Sequence, residues 1–443
     1  MTIYALSSGL GVSGIAVIRI SGPEAKLVIS RLTEGPFPEP RIATLKKVNN
    51  INKTGMIDEG IILWFPGPKS YTGEDMAEIH VHGSKAVIQS LLKSISQIKN
   101  CRMAEPGEFT KLAFQNGKIN LLKAESIGDL ISSETEIQMK QALTIIAGNN
   151  LKKFEHWRNE LLKILSHIEA KIDFPDEDLP ENILKNIKDT SLKITNEIEK
   201  NLNDKKVGEI IREGFKIAII GPPNVGKSSL LNYLSNREVA IVSEIAGTTR
   251  DVIETHLNIG GYPVIISDTA GIRESEDEIE RKGIKLSLKK AEEADLKIII
   301  LDQKTQKNSH FLGDLADGKS LLVINKIDLE NYKLDTEIKK FNPVLISLKK
   351  ETNINRLIDK IKTNLENKFK GSENILITRE RHRINLEECL ENLKKFNNKS
   401  NSGDFDKAAE DLRLASRSLG RITGKFDVEE ILDSIFNDFC IGK

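Results

Sequence analysis

The 443-residue chain has little cysteine, no excess of either charge and no long apolar run. Its three cysteines, Cys101, Cys389 and Cys440, are too scattered for a disulfide framework or a C-x-x-C metal site, so a reducing cytosol is the expected compartment. Sixty-five basic residues balance 65 acidic ones. Global charge therefore gives no nucleic-acid footprint, and any RNA contact has to use a local patch. No stretch approaches the roughly 18 apolar residues of a membrane span. The N-terminus lacks the basic lead and apolar core of a secretory signal. Neither an internal repeat nor a low-complexity tract is present. The expectation is a soluble, cytoplasmic protein of about three domains, each large enough to bury a core.

Against these absences stands Gly221-Pro-Pro-Asn-Val-Gly-Lys-Ser228, preceded by the apolar run Phe215 to Ile220 and followed by Leu230-Leu231. Strand, glycine-rich turn and helix start are the setting a phosphate-binding loop requires. Gly221 and Gly226 let the backbone curl so that N–H groups point inward. Lys227 can reach the β- and γ-phosphates, Ser228 offers Mg²⁺ a hydroxyl, and the helix N-terminus adds its positive end. Asp268-Thr-Ala-Gly271 follows the run Val264-Ile-Ile266, placing a carboxylate near Mg²⁺ and an N–H near the γ-phosphate. Asn325-Lys-Ile-Asp328 follows Leu321 to Ile324; its Asp328 carboxylate suits the paired N1 and N2 donors of guanine, which adenine lacks. Gly247-Thr-Thr-Arg-Asp251 lies where a switch loop belongs, with Thr249 the candidate second hydroxyl on Mg²⁺, and Ser347-Leu-Lys349 can back the base. Their order predicts a GTP-binding domain on a doubly wound, mostly parallel sheet.

One position is unusual. Many small GTPases carry a water-orienting Gln after Asp-x-x-Gly; here it is Ile272, which cannot polarise water. Either hydrolysis is very slow or another group acts. The acidic stretch Arg273 to Arg281 offers several carboxylates, among which spacing does not choose; it also reads as a solvated helix start.

Residues 1–118 read as mixed α and β: a strand at Ile15–Ile20, a helix from Glu24 to Leu32, a loop near Pro66–Ser70, a strand at Glu78–His82 and a helical stripe over Ser84–Ile98. From about 118 to 212 apolar residues recur at helical spacing (Leu121, Leu122, Ala124, Ile127; then Leu151, Phe154, Trp157, Leu161, Leu165, Ile168), and one charged helix is expected from about Glu181 to Arg212. The GTP domain takes 214–372, after which Ile384, Leu386, Leu390, Leu393 and Phe396 resume the helical pattern. The simplest topology inserts the GTP domain into a helical one. His80 and His82 share a strand face without a third ligand at suitable spacing and are read as structural. Cys440, between Phe439 and Ile441, reads as a buried small apolar residue, and Arg379, Arg381 and His382 as a solvated helix face.

The ends of the chain add a family. Phe439-Cys-Ile-Gly-Lys443, Tyr71-Thr-Gly-Glu-Asp75, Pro106-Gly-Glu-Phe-Thr110 with Asn116-Gly-Lys118, Asn224 and the Ile-Ala-Gly-Thr-Thr-Arg run resemble the tRNA-modification GTPase family called MnmE or TrmE, over essentially the whole chain. The resemblance implies an N-terminal α+β domain (1–118) that binds tetrahydrofolate and dimerises. It further implies a helical domain in two parts (119–213 and 373–443) and an inserted P-loop GTPase domain (214–372). The implied activity is GTP hydrolysis coupled to adding a carboxymethylaminomethyl or aminomethyl group at C5 of the wobble uridine of tRNA. The one-carbon unit comes from 5-formyl- or methylene-tetrahydrofolate. A homodimer acts with a flavin-dependent MnmG (GidA) subunit in a heterotetramer or larger complex, away from membranes.

Matched by position, Arg19, Glu78, Lys118 and Lys443 are implied to line the folate pocket and Cys440 to take part in modification. The GTP site would comprise Asn224, Val225, Gly226, Lys227, Ser228 and Ser229, the loop Ser243, Glu244, Ile245, Ala246, Gly247, Thr248 and Thr249, then Asp268, Thr269, Ala270 and Gly271. Asn325, Lys326 and Asp328 with Ser347, Leu348 and Lys349 complete it. Mg²⁺ would sit on Ser228 and Thr249, and K⁺ on Asn224, Ser243, Ile245 and Thr248, neutralising transition-state charge as an arginine finger does elsewhere. Glu280 matches the family's water-orienting glutamate. Ser7 to Gly14, Pro222 and Leu348 depart from the family's usual residues without removing a catalytic group. Two other readings are a ribosome-assembly GTPase acting as an rRNA-binding switch and a folate-dependent aminomethyltransferase merely regulated by GTP. The first usually brings a KH module or a second GTP domain, and no such clamp or loop follows residue 372.

Overall fold

The computed structural model describes residues 1–9, 11–173, 181–237, 240–241, 254–268, 292–306, 317–329, 333–370, 375–399, 405–426, 432, 435–437 and 439–442. Two compact units emerge. One comprises Met1–Ile131, Ile145–Thr195 and Glu388–Lys443, the other Ser132–Thr144 and Asn196–Glu387.

The first unit holds a six-stranded sheet of β1 (Thr2–Leu6), β2 (Ser13–Ser21), β3 (Thr44–Asn49), β4 (Met56–Phe65), β5 (Met76–Gly83) and β6 (Cys101–Met103). Its order is β3-β4-β5-β2-β1-β6, antiparallel except for the parallel β1–β6 pair. Alternation sets its faces. Ala16, Ile18 and Ile20 of β2 join Ile62 and Ile79 in a core with Val28 and Ile29 of α1 (Ala25–Leu32) and Leu91 and Ile95 of α2 (Lys85–Ser96). The intervening Arg19 turns to the other face, where β2 and β5 register it opposite Glu78. The α2 helix starts where the Ser84 side chain accepts from the Val87 N–H at 3.2 Å. Beyond the sheet lie α3 (Glu108–Gln115), α4 (Leu121–Ile131) and the long α6 (Asn149–Asp173). Phe154, Trp157, Leu161, Ile164, Leu165 and Ile168 form the buried stripe of α6. It packs along α13 (Phe405–Thr423), whose Ala408, Ala409 and Ala415 are small enough for close approach.

The second unit is built on a seven-stranded sheet of β7 (Phe215–Ile220), β8 (Ala240–Ile241), β9 (Glu254–Ile259), β10 (Tyr262–Asp268), β11 (Leu296–Leu301), β12 (Ser320–Ile324) and β13 (Val344–Leu345). The order is β13-β12-β11-β7-β10-β9-β8. Strands β13 to β10 run parallel, and β9 runs antiparallel to both β10 and β8. A parallel strand covered on both faces needs a continuous apolar run. On β11, Ile298 and Ile300 enter one cluster with Leu230 and Leu234 of α9 (Lys227–Arg237) and Leu357 and Ile361 of α11 (Ile354–Phe369). Ile299 and Leu301 enter the opposite cluster with Ile338 of α10 (Thr336–Lys339). Multidomain α/β architecture with a doubly wound, mostly parallel sheet is thus the observed fold class.

Residues 132–144 also belong to this unit. They include the start of α5 (Glu136–Ile146), where Ile137 packs on the sheet's core. Gln138 and Gln141 donate to the carbonyls of Arg212 and Gly208, each at 3.2 Å, and Glu134 meets His256 of β9 at 3.0 Å.

Two sequence expectations need correction. The charged helix does not run unbroken from Glu181 to Arg212: α7 (Glu181–Leu202) stops, Lys205 and Lys206 take left-handed φ of 55° and 59°, and α8 (Val207–Glu213) begins anew. The Asp204 carboxylate accepts from Lys206 N–H at 2.9 Å, a local bond that competes with the helical one. Nor is the start of α12 (Glu380–Lys399) a solvated face. His382 is 2 % exposed, and the neighbouring Arg383 is buried on Glu209 and Asp204, at 2.6 and 2.7 Å.

Candidate functional site

Strand β7 ends at Ile220 and α9 begins at Lys227, so residues 221–226 form the turn between a central parallel strand and a helix N-terminus. That is the anion-binding end of a doubly wound sheet. Two glycines are sterically required. A Cβ on Gly221 would lie 2.2 Å from the Ile300 carbonyl oxygen, and one on Gly226, at φ +108°, would lie 2.4 Å from Asn325 Nδ2. Asn224 takes φ +60°, which asparagine tolerates. Lys227 Nζ donates to the carbonyls of Gly221 and Pro222, at 2.8 and 2.9 Å. Its ammonium therefore lies over the loop, while Ser228 and Ser229 are exposed in the first turn of α9.

The Asn325–Asp328 segment leaves the C-terminal end of β12. Buried Asn325 donates through Nδ2 to the Val225 carbonyl at 2.8 Å and accepts the Leu348 N–H through Oδ1 at 3.1 Å. Lys326 Nζ donates to the Asn224 carbonyl at 2.6 Å. Asp328 accepts the hydroxyl of fully buried Ser347 at 2.6 Å. That bond, helped by the positive charge of Lys349 and Lys350, holds its carboxyl below the usual range, so at neutral pH it is an ionised acceptor. The structure thus gathers Asn224 to Ser229, Asn325, Lys326, Asp328 and Ser347 to Lys349 around one loop cluster. The backbone of Asp268 ends β10, paired with Ile219 of β7. Ser243, Glu244, Ile245, Ala246, Gly247, Thr248, Thr249, Thr269, Ala270, Gly271 and Glu280 lie outside the described residues.

A second cluster occupies the N-terminal sheet. Arg19 donates through Nε and Nη2 to Glu78 Oε1, at 3.1 and 3.0 Å, and through Nη1 to the Gly442 carbonyl at 3.3 Å. Its guanidinium lies 5.8 Å from the ring centroids of both Tyr71 and Phe109. Burial pushes the Tyr71 phenol up, and its hydroxyl pairs with Thr110 at 2.9 Å. The Ser7 hydroxyl also holds the Gly442 carbonyl, at 2.7 Å, and Ile441 bridges to Pro106. The C-terminal segment is therefore fastened beside Arg19 and Glu78. Lys118 Nζ donates instead to the Pro68 carbonyl at 2.8 Å. Lys443 lies outside the described residues.

Cys440 is exposed while Phe439 is buried, which overturns the sequence reading of this thiol as a core residue. The cause is local: Phe439 fills the cluster of Leu121, Ala124 and Phe436, and its neighbour turns outward. His80 reaches Glu78 at 3.3 Å and His82 reaches Asp58 at 2.9 Å. Among the described residues no group of three His, Cys, Asp or Glu side chains is arranged to hold a metal. Sequence reasoning missed Tyr71 as a ring beside Arg19 and Asp302 as a partner of Lys326. An aspartate directly after an apolar strand was the available signal for the latter.

A strand–loop–helix cradle, a guanine-type Asn-Lys-x-Asp segment and a mostly parallel sheet define a P-loop GTPase. Two family models match the chain: the GTP-binding protein TrmE N-terminus over residues 2–118 and the MnmE helical domain over residues 121–440. The tRNA modification GTPase MnmE of Pelagibacter ubique (strain HTCC1062) is 68% identical over 100% of both chains, and that of Rickettsia bellii (strain RML369-C) 46% identical, again over 100% of both. Among solved structures, Aquifex aeolicus Era bound to GDP and AlF4⁻ is 30% identical, covering 34% of this chain and 56% of its own with a TM-score of 0.28, a likeness that adds nothing to the assignment. The chain belongs to the MnmE family of tRNA modification GTPases and is a GTP hydrolase acting in tRNA modification.

Proposed function

We propose that this protein is the potassium-dependent GTP-hydrolysing subunit of a cytoplasmic complex that modifies C5 of the wobble uridine. Its implied partners are a flavin-dependent subunit of the MnmG type, tRNA and a second copy of this chain. The added group is carboxymethylaminomethyl or aminomethyl, with tetrahydrofolate supplying the one-carbon unit. The domains would be the folate-binding and dimerising 1–118, the helical 119–213 and 373–443, and the GTPase 214–372. The observation that carries the reading is that Arg19, Glu78 and the Gly442 carbonyl meet on the N-terminal sheet, three residues far apart in sequence in a chain that also holds a complete guanine-type loop.

In the GTPase step Lys227 and the loop N–H groups bind the β- and γ-phosphates and Asp328 reads the guanine edge. Water attacks the γ-phosphorus, the bond to the bridging oxygen breaks, and GDP and phosphate leave. Glu280 orients that water in place of the glutamine that Ile272 excludes. Ser228 and Thr249 would hold Mg²⁺; Asn224, Ser243, Ile245 and Thr248 carry the oxygen donors K⁺ prefers. Of these, Asn224 and Ser228 are exposed side chains on the phosphate loop and the first turn of its helix, which fits cation binding there. A bound cation supplies charge neutralisation at the developing phosphate charge. In the N-terminal cluster Glu78 offers acceptors for the paired donors of a pterin and Arg19 a cationic partner for a folate carboxylate; Lys118 and Lys443, matched by position, would add further cationic partners. Cys440, exposed beside that cluster, takes part in the modification.

The test is mass spectrometry of tRNA nucleosides from a strain lacking this gene. Loss of the modified wobble uridine, restored by the wild-type gene, is expected. Unchanged tRNA with defective ribosomal subunits would contradict the reading and favour an rRNA-binding switch.

A further inference from the structure

The phosphate loop is held by two successive side chains, Asn325 on the Val225 carbonyl and Lys326 on the Asn224 carbonyl. Asn325 is buried, and its own backbone N–H is tied to the Leu301 carbonyl at 2.7 Å. Lys326 differs: its ammonium ends a flexible stem that has to be held for the bond to Asn224 to persist. The group that holds it is Asp302, the residue after β11, which is 7 % exposed. Parallel pairing of β11 with β12 sets Leu301 beside Ile324, so the residues that follow each strand lie side by side.

The Asp302 carboxylate is divided between two tasks. Its Oδ1 accepts from Lys304 N and Thr305 N, each at 3.1 Å, and from Thr305 Oγ1 at 3.0 Å, closing the turn after the strand. Its Oδ2 accepts from Lys326 Nζ at 2.8 Å. Burial opposes its ionisation, but the Lys326 and Thr305 donors outweigh burial and hold the carboxyl below its ordinary value. A carboxylate fixed at one oxygen is a rigid anchor at the other.

We propose that Asp302 is a positioning residue for guanine-nucleotide binding: through Oδ2 it fixes the Lys326 ammonium on the Asn224 carbonyl, so that the base-reading and phosphate-binding loops act as one preformed body. It touches no nucleotide itself.

Asp302→Asn separates the two tasks, because the amide keeps an oxygen for the turn and turns a neutral NH₂ toward the ammonium. The measurement is fluorescent-GDP binding and steady-state GTP hydrolysis on the full chain with Mg²⁺. Asp302→Asn is expected to raise the Kd for GDP and the KM for GTP about tenfold, the loss of one charged hydrogen bond, with kcat within about twofold of wild type. Lys326→Gln is expected to raise the Kd for GDP at least as much, and the double variant to bind GDP no worse than Lys326→Gln alone, since both act through one contact. Unchanged affinity in Asp302→Asn, multiplied losses in the double variant, or an Asp302→Asn protein that does not fold while Lys326→Gln does would each overturn the proposal. The last would make the carboxylate part of the scaffold.

Discussion

The three thiols differ in ways only the folded chain reveals. Cys440 is exposed, Cys101 is half-buried and Cys389 is enclosed within α12, where burial pushes its thiol far up. Only a thiolate attacks an alkylating reagent at a useful rate. Iodoacetamide is therefore expected to label Cys440 first and Cys389 only after denaturation, as peptide mass spectrometry over time would read; equal rates for the two would contradict the described burial. The pair of half-exposed Asp317 and buried Lys297, 2.9 Å apart, makes a pH prediction. The bond from Lys297 lowers the Asp317 pKa from 3.8 to about 2. A depressed carboxyl stabilises the folded state above its unfolded value and loses that contribution as pH falls through the folded one. Half of the Asp317 side chain faces solvent, so after screening the contribution is about 1 kcal/mol or less. The thermal midpoint of wild type is thus expected above that of Asp317→Asn at pH 6, with the gap narrowing between pH 4 and pH 2. A gap that widens on acidification would refute the assignment.

At the scale of elements, the last described residues behave as a fastened strap. Gly442 takes φ +97°, and a Cβ there would lie 2.2 Å from the Leu6 carbonyl oxygen. Gly442→Ala is expected to displace the segment from Arg19 and weaken 5-formyl-tetrahydrofolate binding more than about tenfold by calorimetry, while the KM for GTP stays unchanged. Intact folate binding would detach the strap from the site. What was legible in the sequence follows from how such features are encoded. The strands ending at Ile220 and Ile324 show as apolar runs, broken in the first only by Lys216, because both faces are covered, and α6 shows as a stripe because one face is. Residues joined across the fold left no such pattern. Arg383 meets Asp204 and Glu209 only because α8 and α12 are brought together, and the α7 stop depends on one Asp204 side chain outcompeting helical periodicity. The guanine-type loop was legible because motif spacing carries its chemistry. The Asp302 contact was not, since it depends on the β11–β12 register rather than on spacing.

For the whole molecule, composition spoke only by exclusion, and the family assignment rests on full-length relatives and two family models, with a nucleotide cradle and an arginine–carboxylate cluster in one chain. Residues 132–144, earlier in sequence than the GTPase sheet, are nonetheless clasped to it through Ile137 and the Glu134–His256 contact, and to α8 through Gln138 and Gln141. His256 lies two residues into β9, the strand that follows the switch-loop sequence. The central claim is hydrolysis assisted by an alkali cation on the phosphate loop where the usual glutamine is replaced by Ile272. It is tested most directly by GTP turnover in K⁺ against Na⁺ at matched ionic strength, on wild type and Asn224→Ala. The account predicts fast turnover for wild type in K⁺ alone and slow turnover in the other three combinations. Equal rates in Na⁺ and K⁺, undiminished by Asn224→Ala, would contradict it.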